Sequence, residues 1–328
     1  MTSIDNPQAE TRPARKLTVG IRFSFLRDYA IIFTCVALFL ALSLSSDSFF
    51  TKANLLNILD QSSALGVIAC GGTVVFIAGG FDLSVGAVFG MAGVVAAMLD
   101  IHLGAGGALL VGLLLGVGIG ILNGLVVTVG RINAFMATIG TNFVFMGLAL
   151  VLTGGYLISV VNPSYSILGR GEFIGVKYDI WVWAAFALLL TILLEFTSFG
   201  RYVFASGGNP QAAYLSGIRV NLIRTIAFAI SGLSAALGGI IVSSRVSTGQ
   251  ADSGASIMLT VIAAIVIGGT SIFGGEGAIW RAVLGILLLT LIGNGFDLLN
   301  INPLYQQVLQ GLIILFAVGL DAWTRRTA

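Results

Sequence analysis

Ten apolar stretches separated by shorter polar ones run along this chain, near 29–47, 64–79, 84–100, 105–127, 134–153, 179–197, 224–245, 257–275, 278–299 and 304–322. An α-helix needs about 20 apolar residues to cross hydrocarbon. The pattern therefore predicts an all-α integral membrane protein, a polytopic helical bundle of about ten transmembrane helices. Some stretches run short. Those around Gly79-Gly80 and Gly274-Gly275 have room for a half-helix or a re-entrant break, so eight or nine full spans stay open as a count. Residues 1–28 are polar and lack the apolar core and small-residue cleavage site of a secretory leader. They are expected as a cytoplasmic N-terminal segment, with 29–323 as the transmembrane domain. Ala53 to Leu59 (ANLLNIL) is amphipathic and is expected to lie along the outer interface ahead of the second span.

Composition agrees with a lipid-facing surface. Hydrophobic residues make up 57% of the 328 and charged residues 9%, against about 25% charged in soluble domains. So few charges could not clothe a soluble chain of this length, whereas in lipid the apolar surface faces outward. Gly is frequent, at 44 residues against 5 Pro, which lets helix backbones approach closely. Charge then orients the pattern. With the N-terminus inside and sides alternating, the outside segments hold only Lys52, Arg170, Lys177 and Arg245, and the other twelve basic residues fall inside. This asymmetry predicts cytoplasmic N- and C-termini. The net charge of +2 points to no acidic partner, and no nucleic acid is expected. Trp181, Trp183, Trp280 and Trp323 fall near helix ends, as interface anchors do. Cys35 and Cys70 lie in apolar runs and are expected as unpaired packing residues.

Two loops stand out, one outside near 154–178 and one inside near 198–223. In the inner loop Pro210 to Leu215 reads as a short helix. Asn209 can cap it, Pro210 suits its first position, and Gly217 can end it. It is either a connector or a docking handle parallel to the membrane. Asp82 lies between Gly80 and Ser84 in a turn that begins at Gly79. Asp82 and Ser84 can cap a helix start, and the turn can alternatively form a gate. Asn123 and Asn294 sit within apolar helices. A buried amide is costly unless bonded, so they join helices or line a path. A faint internal echo pairs Gly71-Gly72-Thr73 and Gly79-Gly80 with Gly268-Gly269-Thr270 and Gly274-Gly275.

Several chemistries are missing. No Lys follows a Gly, so no phosphate-binding loop is present. One His and two separated Cys build no metal site, and no catalytic constellation is expected. The acidic residues fall almost entirely at helix ends or in loops, with Glu195 and Asp297 nearest a span interior. An ion-coupled secondary carrier of a small polar solute would rely on one of these. It stays open beside a passive channel, but the pattern favours energy supplied by a partner.

Six stretches in collinear order, over about 30–325, resemble the permeases of the ribose, xylose and arabinose class of bacterial ABC importers. They are NLLNIL at 54–59, GGFDLSVG at 79–86, LNGL at 122–125 with Arg131 after it, FGRYVFASGGNPQAAYLSGIRV at 199–220, IAAIVIGGTSIFGG at 262–275, and 302–321 with Gln306-Gln307, Gly311-Leu312 and Leu320-Asp321. The resemblance implies a permease subunit that imports a monosaccharide or related polyol across the bacterial inner membrane. Its partners would be an ABC ATPase subunit, a periplasmic or extracellular sugar-binding protein, and a second permease copy or close relative, all in membrane lipid. The chain itself would bind no cofactor; ATP and Mg would be used by the partner subunit. Gln211, Ala212, Ala213 and Gly217 resemble the ATPase-docking motif, with Gln211 where the family carries Glu. Met258-Leu259-Thr260 stands where relatives carry Glu-Leu-Asp, a departure expected near the outer helix mouth.

Overall fold

The computed structural model describes residues 20–302 and, beyond them, residues 304, 305, 308, 311, 312 and 315. Most of the expected N-terminal segment, the bulk of the tenth apolar stretch with Gln306-Gln307 and Leu320-Asp321, Trp323 and the C-terminus lie outside the described residues. The helices are α1 (Gly20–Ser45), α2 (Lys52–Ile77), α3 (Val85–Thr128), α4 (Ala134–Thr153), α5 (Ile167–Arg170), α6 (Tyr178–Phe196), α7 (Ser198–Gly208), α8 (Pro210–Leu215), α9 (Val220–Val246), α10 (Ile257–Ile267) and α11 (Ile279–Leu298). Two short antiparallel pairs join β1 (Ile158–Ser159) to β4 (Thr248–Gly249), and β2 (Glu172–Phe173) to β3 (Val176–Lys177). Among the described residues six helices, α2, α3, α4, α6, α9 and α11, are long and apolar enough to cross a membrane.

A straight helix of 44 residues would run about 66 Å, twice a hydrocarbon core. Helix α3 avoids this by turning back at Gly104, whose φ of 68° and ψ of 170° suit a residue without a Cβ. Its arms, 85–103 and 105–128, are antiparallel. A methyl group on Gly112 in the second arm would lie 3.3 Å from the Ala92 carbonyl oxygen in the first. The fourth and third apolar stretches are therefore the two arms of one hairpin.

Helix α9 packs against both arms through glycine. A methyl on Gly239 would lie 2.0 Å from the Phe89 carbonyl oxygen, and one on Gly232 would lie 2.1 Å from that of Gly116. In lipid no hydrophobic drive draws helices together, so backbone approach of this kind supplies the packing. Helix α2 is apolar on nearly all sides and buried from Ser62 to Ile77 with one gap at Leu65, as a helix enclosed by others must be.

Four details differ from the sequence reading. Ala53 to Leu59 is not a separate interfacial helix but the first turns of α2. No Gly or Pro interrupts the join before Gly66, and Ser62 and Ser63 bond back to the carbonyls of Ile58 and Asp60. The eighth stretch, expected to run to 275, is a helix of only 11 residues, because Gly269, Gly274, Gly275 and Gly277 all adopt positive φ beyond it. Helix α7 occupies the start of the inner loop, where only α8 was expected. Trp183 is core rather than an interface anchor, at 5% exposure; it fills the hollow over Gly66, where a methyl would lie 2.2 Å from its ring.

Asn294 and Asn54 exchange reciprocal amide bonds of 2.7 and 3.1 Å, tying α11 to the start of α2. Replacing Asn294 with Ala removes both bonds and leaves the Asn54 side-chain oxygen without this donor, while its nitrogen still donates to the Phe49 carbonyl at 2.9 Å. A loss of about 0.6–1.7 kcal/mol is expected, the span seen for polar pairs between membrane helices. Equilibrium unfolding in mixed micelles measures it, and an unchanged midpoint would show the pair to be dispensable.

Candidate coupling site

The chain unwinds between α2 and α3, over 78–84, and again between α10 and α11, over 268–278. Both breaks converge on the C-terminal end of α7. The Gly275 amide donates to the Ile77 carbonyl at 2.9 Å. A methyl on Gly274 would lie 2.7 Å from the Gly79 Cα, and one on Gly207 would lie 1.8 Å from the Ile77 carbonyl oxygen. Gly79 (φ 76°) and Gly274 (φ 90°) take backbone conformations that side chains disfavour. The sequence echo between Gly79-Gly80 and Gly274-Gly275 is thus a contact in space.

Arg224, in the first turns of α9, closes this joint. Its Nε donates to the Ala78 carbonyl at 3.1 Å and its Nη2 to the Ser206 carbonyl at 3.3 Å. These oxygens end α2 and α7, where helix carbonyls lack partners of their own and carry negative partial charge. One guanidinium therefore holds two helix ends at once.

Helix α8 follows directly. The Asn209 side chain accepts from the Ala212 amide at 2.9 Å, Pro210 holds the first position, and Gly217 adopts φ 85° just after the helix. Gln211 and Ala212 are exposed while Ala213 is buried against the body. The helix thus presents a free face while one side is anchored.

Asp82 sits deeper in the first break, 5% exposed. Its Oδ1 accepts from the Ser84 amide at 3.0 Å and the Ser84 hydroxyl at 2.6 Å. Asn123 donates to the same hydroxyl at 2.7 Å, which links the break to the second arm of α3. Ser84 makes no side-chain cap on α3, contrary to expectation. Its hydroxyl is already engaged, and the amides of Leu83 and Ala87 are met instead by Thr138 and Asn142 of α4. A methyl on Gly80 would lie 3.0 Å from Val75 and 3.3 Å from Phe228.

The opposite end of the bundle holds an ionic cluster that the sequence reading did not single out. Asp60 of α2 and Asp179 of α6 are buried, at 7% and 0% exposure. Arg245 of α9 pairs with both, and Lys177 Nζ lies 2.6 Å from Asp60 Oδ2. Ser63 donates to Asp179 at 3.0 Å and accepts from Arg245 at 2.9 Å. The excess of charged residues flanking α6 was the available signal. Glu195 and Asp297, named as carboxylates for an ion-coupled carrier, are both exposed. Met258-Leu259-Thr260 forms the first turn of α10, where Met258 comes within 3.6 Å of a methyl placed on Gly86.

The chain is thus a helical membrane bundle with two interrupted passes, whose breaks meet beside a short capped helix. Residues 54–318 match the family described as the permease component of branched-chain amino acid transport systems. The chain is 37% identical over 302 residues to a ribose import permease protein of Haemophilus influenzae, covering 90% of this chain and 94% of that one. It is 39% identical over 287 residues to the ribose import permease protein of Bacillus subtilis, covering 87% and 89%. Over 315 residues it is 37% identical to the L-arabinose transport system permease protein of Escherichia coli, covering 93% and 94%. The chain belongs to this family of transport-system permease components. No solved structure matches it.

Proposed function

We propose that this chain is the membrane subunit of an ATP-driven, binding-protein-dependent importer of a monosaccharide or related polyol in the bacterial inner membrane. The relatives named for ribose and L-arabinose import support the solute class. In this reading the chain crosses the membrane ten times. Both arms of α3 and the half-length α10 count as passes, 29–323 forms the transmembrane domain, and both termini lie in the cytoplasm. The basic residues near α7 and α8, Arg201, Arg219 and Arg224, support an inside location for that end.

The observation that carries the mechanism is the joint. Helix α8, with Asn209, Gln211, Ala212, Ala213 and Gly217, docks on a separate ATPase subunit, which uses ATP and Mg. Its displacement acts through Gly207 and Arg224 on the ends of α2 and α7 and on both breaks. Gly79, Gly80, Asp82 and Ser84 then form a hinge or gate, while Asn123 and Asn294 hold helices together. A second permease copy or close relative closes the path, and an external sugar-binding protein delivers solute. Access alternates because nucleotide on the partner stabilises one state over the other. An ion-coupled carrier is not favoured: Glu195 and Asp297 are exposed, and the relatives named above are subunits of import systems.

Gly217→Asp in the docking loop tests this. A methyl at Gly217 meets nothing within 4 Å, so only its φ of 85° opposes the change, at about 1–2 kcal/mol. The chain should still insert. With the ATPase and binding protein co-reconstituted in liposomes, sugar-stimulated hydrolysis is expected to fall about tenfold, equal to ~1.4 kcal/mol of lost coupling. Unaltered stimulation, or sugar uptake by the chain without ATPase, would sink the reading.

A further inference from the structure

The segment between β4 and α10, 250–256, is irregular, yet it lies at mid-depth in the bundle. A methyl on Gly90 would lie 2.3 Å from the Ala251 carbonyl oxygen, and one on Gly86 would lie 2.5 Å from that of Gly254. The second arm of α3 has 24 residues, about 36 Å. Along that arm Gly112, level with Ala92, stands eight residues or about 12 Å below the Gly104 bend, and Gly90 and Gly86 follow about 3 and 9 Å further down. Residues 251–254 therefore run about 15–21 Å below the bend, near the middle of that 36 Å arm.

Irregular backbone at that depth persists only when buried in protein or facing water. This segment is not fully buried: Gln250, Asp252, Ala255 and Ser256 are exposed. The Asp252 carboxylate accepts one bond, from the Gln250 amide at 2.9 Å, and no cation pairs with it among the described residues. A carboxylate facing lipid at mid-depth is costly. Helix α4 shows what a lipid face looks like here, for its exposed residues, Phe143, Val144 and Val151 among them, are all apolar or glycine. Beside the segment a small cavity of about 120 Å³ is lined by Phe89, Gly93, Ser243, Thr248, Gln250 and Ser253.

We infer that Gln250, Asp252 and Ser256 line the solute path at mid-membrane and that the Asp252 carboxylate accepts hydrogen bonds from a neutral, hydroxyl-rich solute. A carboxylate with one protein partner has acceptor capacity to spare, which suits hydroxyl donors and excludes anions. The inference rests on the importer reading for the solute's class, while the water-facing path does not depend on what drives it.

Asp252→Cys, Ser256→Cys and Val151→Cys are each to be made in the full complex in proteoliposomes. Native Cys35 and Cys70 are unpaired and buried, so the background is low. A membrane-impermeant methanethiosulfonate reagent should label positions 252 and 256 and spare 151, and D-ribose with its binding protein and ATP should slow labelling at 252. Asp252→Asn should raise the half-saturating D-ribose concentration for uptake about tenfold, the scale of one charged hydrogen bond. Positions 252 and 256 as unreactive as 151 would overturn the path. Labelling indifferent to D-ribose, joined to unchanged uptake by Asp252→Asn, would overturn the solute contact. Failure of the importer reading looks different: wild type would show no ATP-dependent uptake while the labelling pattern stood.

Discussion

Gly207→Ala should uncouple the transporter without unfolding it. The added methyl would sit 1.8 Å from the Ile77 carbonyl oxygen and 2.7 Å from the Gly275 amide, on top of the backbone bond between them. Neither neighbour is the end of a flexible side chain, so α7 must retreat from α2. Overpacking of this kind costs about 1–3 kcal/mol, which at ~1.4 kcal/mol per decade is about 5- to 150-fold in the equilibrium the joint governs. Ala is otherwise the better helix residue by about 1 kcal/mol, so a loss here cannot come from helix propensity. Gly208→Ala supplies the control, since its methyl would come no nearer than 3.8 Å to the Gly275 Cα. The measurement is ATP hydrolysed per solute delivered. Gly207→Ala should raise that ratio at least several-fold, Gly208→Ala should leave it near wild type, and equal behaviour of the two would dismiss the joint.

Arg245→Met should be the most destabilising single change at the opposite end. It leaves two buried carboxylates, Asp60 and Asp179, with Lys177 as the only remaining cation at the cluster. Breaking one partner out of a buried ionic group costs about 3–5 kcal/mol, because the surviving charge stays desolvated. The loss should be visible as a lowered midpoint of thermal unfolding in detergent. Arg245→Met with Asp179→Asn should recover much of it, since the second change removes the orphaned charge. If the double variant is no better than the single one, the Arg245 stem matters for packing rather than for charge.

Much of the architecture was legible because hydrocarbon leaves few options. A backbone in lipid must satisfy its own hydrogen bonds, so apolar length suffices to find the helices. Helix α8 was equally legible, because Asn209, Pro210 and Gly217 act over one turn of chain and need no distant partner. The amides of Asn123 and Asn294 announced that something must bond them, though not that the partners are Ser84 and Asn54.

The sequence by itself therefore determined the medium, the helical class, the family resemblance and the capped helix of the inner loop. Only the tertiary structure decided that Gly79, Gly207, Gly274 and Gly275 meet, that Arg224 spans two helix ends, that Arg245 gathers Asp60 and Asp179, and that 250–256 descends to mid-depth. The reason is physical. Each of these contacts joins residues far apart in the chain, and several are made by backbone where a side chain is missing. A glycine that permits close approach carries no periodic signal of its own among 44 glycines, so its role emerges only from the surface that packs against it.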